Sequence, residues 1–149
     1  MKKHILLVIL LSITISSYAK QKPQSNIKDP SAFITTWKTI TNNETITIYT
    51  HPKITTGYNY TIDWGDGIIE KNLRSDAIHQ YISAGKHTVQ ITGDFPAIYS
   101  YASSLDEEDF VNVEEYKRLN RGKLQSINNW GAIVWERMDN AFARCENLT

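Results

Sequence analysis

The chain has 149 residues, and its 16 basic side chains are balanced by 16 acidic ones. The lysines and arginines are scattered, with only Lys117, Arg118, Arg121 and Lys123 loosely grouped, so the basic stripe that neutralises phosphates is missing and no nucleic-acid partner is expected. Cys145 is the only cysteine, which excludes an internal disulfide framework and leaves burial of apolar surface as the source of stability.

Residues 1–19 read as a cleaved export signal. Lys2 and Lys3 give a positive start, Ile5 to Ile15 a short apolar run, and Ser17-Tyr18-Ala19 the small residues at a cleavage site. That run is shorter than the roughly 20 residues needed to cross a bilayer, and no later run is longer, so no membrane span is expected after cleavage. Removal of the signal leaves 14 basic and 16 acidic residues. The remaining length suits one sandwich of about 100 residues plus a small remainder.

Residues 20–32 are polar, contain Pro23 and Pro30 and show no periodicity, which predicts a flexible lead-in. Strands are then expected over Phe33–Trp37 and Glu44–Tyr49, separated by the turn-prone Thr41-Asn42-Asn43. The run from Tyr58 to Trp64 alternates strictly. Tyr58, Tyr60, Ile62 and Trp64 share one face of a ribbon, Asn59, Thr61 and Asp63 the other, as in a half-buried strand. It stops at Gly65-Asp66-Gly67, a hairpin turn, and Ile68-Ile69-Glu70 reads as the return arm. Ile78–Tyr81, His87–Thr92 and Phe95–Tyr99 complete the series, with Pro96 assigning the last to an edge or a strand start. Short strands with turn signals about every ten residues predict an all-β sandwich over residues 33–101.

Residues 102–122 begin with an acidic run, and Phe110, Val113, Tyr116 and Leu119 are spaced for one side of a short helix or an excursion loop, so this stretch reads as a linker. Over 123–149, Lys123–Ile127 resumes strand character and Asn128–Gly131 is a turn. Trp135, Met138, Ala141, Phe142, Cys145 and Leu148 then follow the stripe of an amphipathic helix. A stripe running to the last residue with nothing after it to receive it suits a construction unit cut short; the other arrangement is that it packs back on the sandwich.

Reactive groups are sparse. Asp63, Asp66 and Glu70 supply too few oxygens for a Ca²⁺ loop; Asp66-Gly67 is expected to provide positive-φ turn conformations, with the Asp63 carboxylate accepting N–H groups of the turn. His51, His79 and His87 are too far apart for a local zinc motif, and His79 reads as a packing and hydrogen-bonding residue. No serine sits in a nucleophile elbow, and Cys145 lies on the apolar stripe as a small core residue. The expectation is a non-enzymatic protein with no catalytic, cofactor-binding or metal residues, in which His87 tolerates replacement by Ala. Asn43, Asn59 and Asn147 head glycosylation sequons, relevant only to a eukaryotic host.

Two resemblances follow from these motifs. Tyr60-Thr61-Ile62-Asp63-Trp64-Gly65-Asp66-Gly67, then His79-Gln80-Tyr81, then Gly85 and the alternating strand around Val89, resemble the polycystic kidney disease (PKD) domain, with Trp64 between Asp63 and Gly65 and Ile62 in place of the usual Trp. The resemblance implies an immunoglobulin-like β-sandwich of extracellular proteins, a spacer or interaction module. Leu124–Gly131 and Met138-x-x-Ala141-Phe142-x-x-Cys145-x-x-Leu148 are similar to the first leucine-rich repeat of BspA-like bacterial surface proteins, in which the Ala-Phe pair and the Cys enter a core shared with the next repeat. Together they imply a secreted or surface-displayed bacterial protein whose sandwich presents a repeat region to a protein or carbohydrate ligand, with adhesion as its use. The alternative is an accessory module of a secreted hydrolase.

Overall fold

The computed structural model describes residues 29–100 and 120–149; the expected signal peptide, most of the lead-in and most of the acidic linker lie outside the described residues. Threonine, isoleucine and aromatic side chains fill the segments that become strands, because branched and flat side chains pack well on a pleated surface. Eight strands result among the described residues: β1 (Phe33–Thr39), β2 (Glu44–Thr50), β3 (Asn59–Asp63), β4 (Ile69–Leu73), β5 (Ala77–Tyr81), β6 (Gly85–Asp94), β7 (Ile98–Tyr99) and β8 (Leu124–Asn129). The fold is all-β, as expected, and every strand pair is antiparallel. One sheet runs β4-β3-β6-β1-β8 and the other β5-β2-β7.

The period of two in the sequence becomes the inner faces of these sheets. In the larger one, Phe33 lies opposite Ile91, Thr35 opposite Val89 and Trp37 opposite His87, while Ile62 of β3 flanks Ile91 from the other side. In the smaller, Ile46 faces His79 and Ile48 faces Ala77. Tyr60, Ile62 and Trp64 are 0% exposed, so the face the alternation assigns to packing is the buried one. Each such side chain contributes about 1.5–3 kcal/mol through removal of its apolar surface from water.

The C-terminal residues divide the two arrangements open to them in sequence. β8 is hydrogen-bonded to β1, with Thr35 opposite Ile127 and Thr36 opposite Ser126, and the stripe packs back on the sandwich. Leu124 and Ala141 are buried in the common core, with Trp135, Phe142, Cys145 and Leu148 half-buried against it, whereas Met138 points largely to solvent. The predicted helix is replaced by successive turns. Ala141 N–H donates to Met138 O, Cys145 N–H to Phe142 O and Leu148 N–H to Cys145 O, each spanning three residues. Asn140 and Arg144 take left-handed backbone conformations, at φ 57° and 56°. Each reverses the local winding and breaks the four-residue ladder, while the three-residue recurrence of apolar side chains survives.

Residues 120–123 form a single helical turn laid along β2. Thr47 N–H donates to Asn120 Oδ1 (2.9 Å) and Asn120 Nδ2 returns a bond to Thr47 O (3.0 Å), while Lys123 Nζ donates to Thr45 O (2.7 Å). Side chains thus occupy backbone groups that a further strand would pair with, a means of sealing a sheet edge.

Candidate functional site

The densest set of polar and aromatic interactions surrounds the turn after β3. Trp64 N–H donates to Ile68 O (3.0 Å) and closes the loop. Inside it, Asp63 Oδ1 accepts the Gly65 N–H (2.8 Å) and Asp66 Oδ1 the Ile68 N–H (3.1 Å), the side-chain mimicry of a turn that short acidic residues provide. Gly65 is required on two counts. Its φ is +78°, and a Cβ there would lie 2.3 Å from Thr88 O, inside any permitted contact distance.

The turn is tied to the smaller sheet through β5. Asp66 Oδ2 receives the His79 Nε2–H (2.7 Å), because an ionised carboxylate only accepts. The imidazole stacks on the Trp64 indole, with centroids 4.9 Å apart and planes 16° from parallel. Trp64 Nε1 donates to Glu70 Oε1 (2.7 Å). Tyr81 donates its hydroxyl to Trp64 O (2.7 Å), and its ring stacks on His87 at 3.6 Å. His87 Nε2 meets Thr39 Oγ1 (2.8 Å), which also accepts the Gly85 N–H (3.2 Å). Burial pushes the Tyr81 phenol well above its ordinary range, reinforced by the carboxylates of Asp66 and Asp63. Burial does the same to Tyr60, whose hydroxyl donates to Ser75 O (2.6 Å).

Asp63, Trp64, Gly65, Asp66, His79, Tyr81 and Gly85, distant in sequence, therefore meet in one place. Gly67 stands at the exposed hairpin tip, and Tyr60 and Val89 lie in the core beneath. Thr39 is the participant that no sequence motif marks, whereas the chemistry of Glu70 is weighed there only as a Ca²⁺ ligand and that of His87 only as a zinc ligand and a residue tolerant of replacement. His87 had a legible signal, since it falls two residues before Val89 and four before Ile91 on the same inward face. Its stacking on Tyr81 overturns the expectation that its loss would be silent.

A shallow depression opens beside this cluster, bordered by Gly65, Asp66, Tyr81, Lys86, His87 and Thr88. The Asp63 and Asp66 carboxylates are engaged by turn amides and His79, and Glu70 by Trp64. Among the described residues no three His, Cys, Asp or Glu side chains are grouped to hold a metal ion, and no helix is long and apolar enough to cross a membrane. No family model matches this chain, and neither does any curated protein or solved structure.

The C-terminal turns create the second notable surface. The Phe33 ring meets Trp135 edge-on at 5.0 Å and Trp130 at 5.7 Å, and Trp130 reaches Phe142 at 6.0 Å. Trp130 (47%), Val134 (82%) and Met138 (41%) nonetheless remain exposed. Beside them, His51 fastens the turns to the sandwich. Its Nδ1 accepts the Lys53 N–H (3.1 Å), so Nε2 carries the proton donated to Asp139 Oδ2 (3.1 Å). Arg137 grips the same carboxylate at 2.8 and 3.1 Å and holds it well below the usual carboxylate range, with His51 adding to the effect against some desolvation. Burial raises the Cys145 thiol, opposed by Ser100 and Arg121, which leaves little of the nucleophilic thiolate at neutral pH.

Proposed function

We propose that this chain is a non-enzymatic, exported binding protein, in which a PKD-like sandwich holds a leucine-rich-repeat-like C-terminal stretch rigidly and presents it to a protein or carbohydrate at the bacterial surface. The observation that carries the reading is the attachment of the C-terminal stretch. β8 is zipped to β1, and Phe33 of the first strand shares an aromatic cluster with Trp130, Trp135 and Phe142. Such a junction transmits orientation, and it leaves Trp130, Val134 and Met138 facing water, the Trp and Met among them being types enriched at recognition surfaces. The PKD-like part of the reading draws support from the convergence of Asp63, Trp64, Asp66, His79 and Tyr81 on one turn, and from the role of each histidine. His51, His79 and His87 all serve packing and hydrogen bonds between elements, which is structural work.

The test is binding of the purified chain to arrays of glycans and extracellular-matrix proteins, with Trp130→Ala and Met138→Asp in parallel. The proposal expects a saturable ligand whose affinity falls at least about ten-fold in either variant, the behaviour of an aromatic anchor. A hydrolytic activity in the purified chain, or binding indifferent to both substitutions, overturns it. Export is checked by expressing the chain in a bacterium and sequencing the N-terminus of the released form, expected at Lys20.

A further inference from the structure

Sheet edges are templates for another chain unless something blunts them, and the described edges of this sandwich are unequally protected. β4 carries Lys71, has Asn72 at φ 57° and pairs with β3 through a register shift. β8 has Thr149 N–H bonded to Gln125 O on it (3.0 Å). β7 is two residues long, and β2 beyond its reach is sealed by Asn120 and Lys123. β5 is different. Its sequence Ala77-Ile78-His79-Gln80-Tyr81 has no charge, no proline and no bulge against β2, and the His79 ring is turned inward onto Trp64. Ile78 is 63% exposed and Ile82, just past the strand, is 81% exposed.

The ladder shows which backbone groups face outward. Thr47 spends its N–H and C=O on Asn120, and Thr45 its C=O on Lys123, so both residues point away from β5. Residues directly opposite in an antiparallel pair share this orientation. Ile78 and Gln80, opposite Thr47 and Thr45, therefore aim their N–H and C=O groups at the open edge.

We propose that β5 is a self-pairing edge through which two copies of this chain join antiparallel, about a two-fold axis passing by Gln80. In that register Gln80 lies opposite Gln80 of the other copy and their outward backbone groups exchange both hydrogen bonds, while Ile78 lies opposite Ile82 of the other copy, just past the strand end. The uncharged strand brings no like charges together, and the exposed isoleucines cover one another. The smaller sheets of the two copies become one continuous sheet, an isologous interface. Pairing of one short strand buries less than a stable interface needs, so the dimer is of the transient class, with a Kd on the order of 100 μM.

Sedimentation velocity of the chain over a concentration series up to about 1 mM, a range bracketing that affinity, tests this. The expected result is a monomer–dimer equilibrium in which Ile82→Lys, a change at an exposed position, weakens dimerisation about ten-fold or more by setting a charge that must lose water against the apolar Ile78 of the other copy. Gln80→Pro, which removes the outward N–H, abolishes it. Ile69→Lys on the β4 edge leaves it unchanged. A chain that stays monomeric throughout the series, or a dimer that ignores the β5 substitutions, overturns the proposal.

Discussion

The Tyr81 hydroxyl donates to the carbonyl oxygen of Trp64 across 2.7 Å, so an aromatic residue of the smaller sheet closes a backbone acceptor at the mouth of the turn in the larger one. The bond is buried, and the polar contact at this corner is as sheltered from water as the apolar ones around it. Loss of either partner leaves a desolvated group without compensation, which costs about 1–3 kcal/mol beyond any packing effect.

Among the described residues Trp64 is the largest fully buried side chain, and it touches His79, Tyr81 and Glu70. Trp64→Ala is expected to lower stability by about 3–5 kcal/mol, read as a shift in the urea midpoint. Trp64→Phe, which keeps a ring but loses the donor to Glu70, should fall between variant and parent. Equal midpoints for Trp64→Ala and the parent would contradict the packing described.

Gly65→Ala should destabilise by more than about 1 kcal/mol, because the new methyl meets the Thr88 carbonyl and the backbone is left-handed there. Gly85→Ala provides the contrast. Space beside Gly85 is open, so its loss reflects backbone conformation alone and should be the smaller in a thermal melt.

His87→Ala removes the ring stacked on Tyr81 and the bond to Thr39 together. An expected cost of about 1–3 kcal/mol separates it from the neighbouring exposed Lys86→Ala, which should stay within about 0.5 kcal/mol. Chemical denaturation of the two variants side by side decides the matter.

Alkaline conditions act through Tyr60 and Tyr81. Their phenols are raised in the folded state by burial, so the contribution of their neutral forms is complete below the unfolded value of about 10. Above it the unfolded chain releases protons the folded chain retains, and stability declines as pH rises. Stability measured from pH 8 to 11.5 should fall across the upper part of that range, with a shallower fall in Tyr81→Phe despite its lower starting point. A slope unchanged by that substitution would refute the assignment.

Acid acts through Asp139 in the opposite sense. Its carboxyl is lowered in the folded state by Arg137 and His51, so the stabilisation is present above the unfolded value of about 3.9 and is lost as pH falls below it. Hydrogen exchange at residues 136–141 should quicken between about pH 4 and pH 2, ahead of exchange in β6. In Asp139→Asn that acid-driven change should disappear.

Much of this fold was legible in the one-dimensional pattern. The alternation at Tyr58, Tyr60, Ile62 and Trp64 named a buried face, and each expected strand segment contains or overlaps an observed strand. The Asp63 carboxylate bonds to the turn as expected, whereas the left-handed backbone expected of Asp66-Gly67 is taken up by Gly67 and by Gly65 before it, not by Asp66, since only glycine enters that region without a Cβ penalty. The stripe from Trp135 to Leu148 misled about secondary structure for a definite reason. Recurrence every three or four residues measures how often a chain returns to the core, and successive turns interrupted by left-handed Asn140 and Arg144 return as often as a helix does.

Sequence by itself settled the class of structure, the inward face of β3 and the bond from the turn to the Asp63 carboxylate, because these depend on side-chain period and on backbone preferences acting over a few residues. Only tertiary structure decided that β8 would pair with β1, that His87 would stack on Tyr81, that His51 would grip Asp139, and that β5 would be the least protected edge among the described residues. Those outcomes join positions 6 to 95 residues apart, where no local periodicity operates and where shape, desolvation and the geometry of hydrogen bonds select one partner from many.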